Sequence, residues 1–261
     1  ETVNDSRPSH GRMIPLRRFL RESARCILAG PSLASMGRRL AFAPLRLWLT
    51  NPRRALLFVA VRPYTMLPYL RLSKLADLAE ECNRTGIPGA FVQCGVWRGG
   101  SAAVLEAAAV EGRRQTWLLD SFEGCPQPGL QDISMHGRKG TAGEAAAPME
   151  DVVGLLMDLG LEPNREDLWI CRGWFEKTVP LVASKVSKIA LLHLDADWYE
   201  SIHRCMDWFY PLVSDCGYVV VDDFGYWQGA QKAVSEYFEA RGIPMPKLTW
   251  VDHTGAYWQK I

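Results

Sequence analysis

Short apolar runs alternate with helical segments from about residue 90 to the end of the chain. The run 189–194 is apolar except for one histidine, a pattern typical of a strand that is buried on both faces of a sheet. Comparable runs predict seven strands: 90–94, 116–119, 168–171, 189–194, 218–221, 247–251 and 256–259. The last two flank Asp252-His-Thr-Gly and are therefore predicted to form a closing hairpin.

Segments with helical periodicity precede, separate and follow the first five of these strands. They are 65–86, 99–110, 150–159, 174–181, 199–209 and 230–241. Strands that alternate with helices favour an α/β fold with a parallel sheet. Residues 121–147 are rich in Gly, Pro and Ala, and we expect a long loop there, flexible enough to act as a lid.

The N-terminal part differs in composition from the rest. Residues 1–74 contain 14 Lys and Arg against 3 Asp and Glu, whereas the remaining 187 residues contain 16 against 26. We therefore predict a basic helical arm, 1–62, and a main domain, 63–261. The segment with Arg17 and Arg21 favours packing against the acidic body or a second subunit, with a membrane surface as the alternative. A homo-oligomer is expected, and nucleic-acid binding is disfavoured because few aromatic residues accompany the basic ones.

No apolar stretch reaches the roughly 18–20 residues needed to span a bilayer. The seven cysteines are scattered and never form Cys-x-x-Cys, which favours a reducing cytoplasm over a disulfide framework or a structural zinc site.

Carboxylates follow two of the predicted strands directly. Asp195 and Asp197 end the run 189–194, and Asp222 and Asp223 end the run 218–221. Ligands of open α/β sheets bind at the carboxyl ends of the strands, where these acids should converge. Their mutual repulsion favours a divalent cation as partner, although strand-end turns and helix caps are the alternative.

A glycine-containing turn, 93–101, lies between the first strand and the following helix. Gly95 permits a tight turn, but neither the dinucleotide spacing Gly-x-Gly-x-x-Gly nor a triphosphate loop is present. Asp120 ends the next strand, where an acid can bind a ribose diol or merely cap a turn. Trp174, which follows Gly173, is either a flat wall for an adenine or a core residue.

Five segments in order resemble the macrocin O-methyltransferase family: Phe91-Val-Gln-Cys-Gly-Val-Trp-Arg-Gly-Gly-Ser, Asp120-Ser-Phe-Glu-Gly, Arg172-Gly-Trp-Phe, Leu194-Asp-Ala-Asp-Trp-Tyr-Glu-Ser and Val221-Asp-Asp-Phe-Gly. The resemblance covers about residues 64–258. It implies a class I, seven-stranded, Rossmann-like methyltransferase sheet, with S-adenosylmethionine and Mg²⁺ as cofactors. It also implies methylation of a sugar hydroxyl in antibiotic biosynthesis.

The resemblance implies roles for individual residues. Asp195, Asp222 and Asp223 would be the metal ligands, and Asp195 and Asp197 would be catalytic, with Asp197 as general base. Apart from the resemblance, His136 in the long loop is the second candidate base, with a merely solvent-exposed histidine as the alternative. The cofactor would be bound by Thr65, Met66, Arg71, Gln93, Gly95, Trp97, Ser101, Asp120, Ser121, Phe122, Gly173, Trp174 and Asp195. Three positions depart from the family pattern: Gln93 for Glu, His193 for Arg and, conservatively, Ala196 for Gly.

The predicted reaction is transfer of a methyl group to a small-molecule glycoside or another vicinal diol. One alternative is a cation-dependent catechol or phenol methyltransferase, with Trp97, Trp198 and Trp227 as an aromatic slot. The other is a non-catalytic interaction subunit, against which the intact acids weigh. The acceptor and the hydroxyl position are not encoded in any motif.

Overall fold

The computed structural model describes residues 40–261, and predictions that fall on residues 1–39, including the segment with Arg17 and Arg21, lie outside the described residues. Between residues 40 and 261 no helix is both long and apolar enough to cross a bilayer. The six cysteines in this part of the chain are all free thiols.

A single seven-stranded sheet organises the described chain. The strands are β1 Ala90–Cys94, β2 Thr116–Asp120, β3 Leu168–Arg172, β4 Ile189–Leu194, β5 Val213–Val221, β6 Thr249–Trp250 and β7 Ala256–Gln259. Their order is β3-β2-β1-β4-β5-β7-β6, with the first five parallel and with β7 antiparallel to both β5 and β6. This confirms the predicted α/β class. Strands β1 to β3 are added toward one edge of the sheet, and β4 and β5 are added on the other side of β1. Open sheets bind ligands at this point between β1 and β4, where the order of the strands reverses.

Eight α-helices accompany the sheet within residues 40–261. They are α1 Leu45–Thr50, α2 Pro52–Val61, α3 Tyr69–Thr85, α4 Gly100–Gly112, α5 Met149–Asp158, α6 Phe175–Ala183, α7 Tyr199–Phe209 and α8 Gln228–Ala240. The predicted helix 65–86 begins later, at Tyr69. Pro68 supplies its N-cap, and a residue before proline is sterically disfavoured in helix. Residues 65–68 are therefore left outside the helix.

Helices cover both faces of the sheet. Val92 and Leu192 point to the face that packs on α6, α7 and α8, whereas Phe91 and Leu191 point to the face covered by α3 and α4. The buried α2 residue Phe58 belongs to a core cluster with α4 and α5 on this second side. Burial on both faces explains why the strand runs carry almost no polar residues. The boundary at residue 62 stays a prediction.

One buried ion pair ties α4 to the loop before β3. Glu106 is fully buried and contacts Arg165 through two bonds, Nε to Oε1 at 3.0 Å and Nη2 to Oε2 at 3.3 Å. Burial raises the pKa of Glu106, and Arg165 opposes that rise. Without Arg165 the carboxylate would have no charged partner in a site that excludes water.

We predict that Arg165→Ala lowers the free energy of unfolding by about 3–5 kcal/mol, because it leaves a buried charge uncompensated. Urea denaturation at neutral pH measures this. Glu106→Gln in the Arg165→Ala background should recover part of the loss, and the exposed Lys177→Ala serves as control. A loss below about 1 kcal/mol in Arg165→Ala would contradict this reading of the pair.

Candidate functional site

Three non-glycine residues adopt positive φ angles just beyond three neighbouring strands. They are Trp97 after β1 (φ 50°), Phe122 after β2 (φ 59°) and Asp197 after β4 (φ 56°). This conformation is strained for side chains with a Cβ atom, and such residues cluster at functional sites. The strain lies at the carboxyl edge of the sheet, where the sequence places its acids.

The turns after β1 and β4 touch each other at Gly95. Its φ is 88°, and a Cβ atom here would collide with the main-chain oxygen of Asp195. The Asp195 N–H in turn donates to the Cys94 carbonyl at 2.8 Å. Only glycine permits this approach, which fixes the glycine turn beside the acidic strand end.

Asp120 holds the glycine turn in place. Its Oδ2 accepts from the main-chain N–H groups of Val96 at 2.6 Å and Trp97 at 3.0 Å, and its Oδ1 accepts from Phe122 N at 2.7 Å. The turn-capping role considered for this residue is therefore present. Each carboxylate oxygen has more than one acceptor site, so the predicted ribose contact is compatible with these bonds.

Two connected cavities open at this edge of the sheet. The smaller, about 90 Å³, runs from Asp120 and Ser121 past Trp174 to Asp195. The larger, about 450 Å³, contains Arg71, Asp222 and Asp223. Both are bordered by Met66, Val96, Trp97, Glu144, Ala145, Asp195 and Asp197. The shared lining makes them one cleft with an Asp120 end and a carboxylate end.

Four carboxylates converge in this cleft. Burial, followed by the charges of Asp222, Asp197 and Asp223, raises the pKa of Asp195 well above its usual range. Burial and the neighbouring Asp223, with which it forms a hydrogen bond, likewise raise the pKa of Asp197. Burial and Asp223 raise the pKa of Asp222 to about 7, although Arg71 opposes the rise. The cluster holds more negative charge than its surroundings neutralise.

Arg71 lies against this cluster. Its Nη1 donates to Asp222 Oδ2 at 2.7 Å and to Asp223 Oδ1 at 3.0 Å, while its Nε donates to Asp252 Oδ2 at 2.8 Å. Arg71 was predicted to bind the cofactor. The structure places it at the carboxylate end of the cleft, away from Asp120 and Trp174.

The predicted metal ligands are brought together, but as an ion-paired cluster. Among residues 40–261 no three His, Cys, Asp or Glu side chains are arranged as a metal site. The available donors are carboxylate oxygens, which Mg²⁺ prefers. Burial and the charges of neighbouring carboxylates raise the pKa values of Asp195 and Asp222, and a cation would relieve the repulsion among them. The donor set therefore fits a hard divalent cation, provided that Asp222 and Asp223 release part of their contact with Arg71.

The other predicted cofactor residues occupy four kinds of position. Gly95, Ser121 and Trp174 line the smaller cavity, and Thr65 and Ser101 line the larger one. Met66 lines both. Gln93, Phe122 and Gly173 line neither of these two cavities and support the turns from behind.

Gln93 bonds the glycine turn to α4. Its Nε2 donates to the Gly95 carbonyl and to Ser101 Oγ, both at 2.7 Å. Its Oε1 is buried without a partner, as are both ring nitrogens of His193 on the adjacent strand. Burial, with a contribution from Arg71, lowers the pKa of His193 to about 3, so this imidazole is neutral.

The structure does not support His136 as a base or the proposed tryptophan slot. His136 is exposed and lines neither cavity. Trp198 is buried in the core, and Trp227, although it borders the larger cavity, is 2% exposed with the Arg138 guanidinium 4.9 Å from its ring centre. Of the three tryptophans only Trp97 presents accessible surface to the cleft.

The predicted lid loop is anchored at several points. Cys125 N donates to the Glu144 carbonyl and Gly143 N donates to the Cys125 carbonyl, which closes the neck of the loop. Asp132 Oδ1 accepts from Tyr199 N at the start of α7, at 2.8 Å. The loop is irregular, as predicted, and any opening motion must break these bonds.

The sequence motifs missed several cleft residues. They are Cys125, Arg138, Glu144, Phe175, Glu176 and Tyr226, together with Asp252, which contacts Arg71. Most of them lie on loops outside the five recognised segments. No periodicity or spacing in the sequence distinguishes them. Cys125 Sγ lies 3.8 Å from Asp197 Oδ2 and donates to it.

Comparisons with known proteins agree with the geometry of the cleft. The family model described as Macrocin-O-methyltransferase (TylF) matches residues 58–260. A tetracenomycin-C rhamnosyl 4'-O-methyltransferase of Streptomyces olivaceus is 31% identical over 205 residues, which cover 75% of each chain. Demethyldecarbamoylnovobiocin O-methyltransferase of Streptomyces niveus is 31% identical over 207 residues, or 76% of each chain.

A solved structure is also similar. The O-methyltransferase NovP superposes with a TM-score of 0.64 at 30% sequence identity, covering 76% of this chain and 82% of its own. The likeness in fold and the likeness in sequence each cover about three quarters of the chain, and the family model spans the residues of the cleft.

We predict that Asp120→Ala weakens binding of S-adenosylhomocysteine at least tenfold. The substitution removes the acceptor for three main-chain N–H groups and so loosens the glycine turn. Isothermal titration calorimetry measures the affinity. The exposed neighbour Glu123→Ala is the matched control, and equal affinities in the two variants would remove Asp120 from the cofactor site.

Proposed function

The chain is an S-adenosylmethionine-dependent O-methyltransferase of the macrocin O-methyltransferase family, and on this premise we propose that it methylates a sugar hydroxyl of a glycosylated natural product with the help of Mg²⁺. The observation that carries this proposal is the carboxylate cluster, which borders both the Asp120 end and the larger end of one cleft. A methyl donor at the first end and a hydroxyl at the second would meet beside Asp195 and Asp197.

In the proposed complex the adenosine lies in the smaller cavity. Asp120 would bind the ribose and Trp174 would contact the adenine, while the glycine turn lets the ligand approach closely. The methionine part would extend toward Met66 and Asp195, which border both cavities. This orientation directs the sulfonium methyl group into the larger cavity.

The methyl transfer itself is an in-line displacement. The acceptor oxygen forms a bond to the methyl carbon as the carbon–sulfur bond breaks, and the hydroxyl proton passes to a base. We assign that base to Asp197, which borders both cavities and whose pKa is raised by burial and by Asp223. Its φ of 56° fixes the direction of the side chain, and the Cys125 thiol donates to its Oδ2.

Asp195, Asp222 and Asp223 would hold the metal ion. Mg²⁺ bound there would lower the pKa of a coordinated hydroxyl and hold it in place. The repulsion among these carboxylates supports the assignment, since a cation would relieve it.

A sugar acceptor is proposed from the relatives. The Streptomyces olivaceus enzyme is described as acting on a rhamnosyl group, and mycinamicin III 3''-O-methyltransferase of Micromonospora griseorubida is 28% identical over 207 residues. The cavity of about 450 Å³ is large enough for a sugar ring. The absence of a three-tryptophan slot in the described cleft gives no support to a flat catechol acceptor.

We predict that Asp195→Asn and Asp222→Asn each lower the rate of methyl transfer at least about 100-fold, because each removes a charged oxygen ligand. Binding of S-adenosylmethionine by Asp222→Asn should change by less than about threefold, because Asp222 lines the larger cavity and not the smaller one. The rate is measured as S-adenosylhomocysteine release with a panel of glycosides and catechols. Asp158→Asn, an exposed acid on α5, is the control.

Chelation tests the metal separately. Excess EDTA should abolish turnover, and added Mg²⁺ should restore it. Full activity in EDTA would remove the metal from the proposal while leaving the methyl transfer intact. Turnover of catechols but not of glycosides would replace the sugar by a phenol.

We also propose that the protein is a homo-oligomer of the cytoplasm whose basic N-terminal region contacts the acidic body of a second subunit. The uneven charge of the two parts of the chain supports this. Light scattering after gel filtration should show a dimer or larger species near 0.1 M salt that dissociates near 1 M salt. A monomer at low salt would contradict the proposal.

A further inference from the structure

Arg71 supplies a positive charge to the carboxylate cluster through its ion pairs with Asp222 and Asp223. It lies on the first turn of α3 and extends to the end of β5, where its Nη1 contacts the main-chain oxygen of Asp222 at 3.1 Å as well as the carboxylates of Asp222 and Asp223. Within residues 40–261 no other Arg, Lys or His side chain forms an ion pair with Asp195, Asp197, Asp222 or Asp223.

A second set of contacts holds the other side of the guanidinium. Nε donates to Asp252 Oδ2, and Nη2 donates to Thr254 Oγ1 in the turn between β6 and β7. A Cβ atom on Gly255 would come within 3.1 Å of Arg71 Cδ and Nε, so the turn packs directly against the arginine. The guanidinium therefore bridges the cleft carboxylates and a separate turn.

Asp252 holds Arg71 through a carboxylate that is itself fixed by main-chain hydrogen bonds. Its Oδ1 accepts from Thr254 N at 2.9 Å and from Gly255 N at 2.7 Å. Burial would raise the pKa of Asp252, but these two main-chain bonds and Arg71 lower it to about 2. Asp252 thus keeps its charge and its bond to Nε whether or not Asp222 and Asp223 gain another partner.

We propose that Arg71 is an internal counter-ion that holds Asp222 and Asp223 in place and competes with the divalent cation for them. The inference rests on the metal role in the proposed function. Arg71 is a positioning residue in this reading. When the cation binds, Asp222 and Asp223 exchange the guanidinium for it, and Asp252 and Thr254 retain Arg71 at the side of the site.

The arrangement has two opposite consequences. Before the cation binds, Arg71 offsets the repulsion between Asp222 and Asp223 and so stabilises the fold. The same positive charge, only 2.7–3.0 Å from the two carboxylates, weakens their attraction for a second cation. Removing the charge should therefore destabilise the metal-free protein and tighten metal binding, a combination that simple loss of structure does not produce.

The test compares Arg71→Gln with the wild type by two measurements. Differential scanning fluorimetry in EDTA should show a lower Tm for Arg71→Gln. Calorimetric titration of MgCl₂ into protein saturated with S-adenosylhomocysteine should show a Kd at least about tenfold lower for Arg71→Gln. Arg71→Lys, which keeps the charge but not the two-sided contact, should keep the weaker affinity of the wild type.

Arg54→Gln is the matched control. The Arg54 side chain is 13% exposed, against 12% for Arg71, and it is ion-paired with Asp77 outside the cleft. This variant should lose stability while its Kd for Mg²⁺ stays unchanged.

The outcomes separate the two proposals. If the wild type binds Mg²⁺ and Arg71→Gln binds it equally tightly or more weakly, the proposed role of Arg71 is wrong. The metal mechanism is unaffected by that result. An unchanged Tm of Arg71→Gln in EDTA would also overturn it. Absence of Mg²⁺ binding by both proteins, together with EDTA-resistant turnover, would overturn the metal role and the competition with it.

Discussion

Repulsion among carboxylates at one edge of the sheet is the constraint on which the site depends. Parallel strands end at the same edge, so β4 and β5 deliver Asp195, Asp197, Asp222 and Asp223 to a single cleft. Burial of these acids and the repulsion among them cost free energy, and both effects raise the pKa values of Asp195, Asp197 and Asp222. Arg71 offsets part of that cost, and we propose that a divalent cation offsets the rest. The acids are therefore kept at some expense in stability, as functional sites often require.

The surrounding structure is arranged to hold this strained edge. Gly95 allows the turns after β1 and β4 to touch, and Asp120 binds the turn that Gly95 begins. The hairpin turn at Asp252 supports Arg71 from the other side. The long loop is bonded to α7 through Asp132, so it encloses the cleft as a fixed wall in the described structure. Together these contacts join the cofactor end of the cleft to its acidic end.

Family membership gives the type of reaction, and the cleft gives the residues that are placed to take part in it. The family and its relatives establish an O-methyltransferase that uses S-adenosylmethionine. The cleft adds which residues of this chain lie close enough to take part. It brings the four acids together, whereas His136 lies outside its lining and Trp198 is buried in the core. It also gives Arg71 surroundings that differ from those expected of a cofactor ligand.

The sequence by itself determined the strands, the parallel arrangement of the first five and the acids at their ends. Burial on both faces leaves an apolar pattern that is readable locally, and the chemistry follows directly along the chain in Asp195-Ala-Asp and Asp222-Asp. Only the tertiary structure decided which side chains from distant parts of the chain meet at the cleft. Arg71 and Asp252 are far apart in sequence, and no local pattern records their contact. The anchoring of the loop through Asp132 and the burial of Trp198 likewise depend on packing partners distant in the chain. The start of α3 at Tyr69, in contrast, follows from the adjacent Pro68.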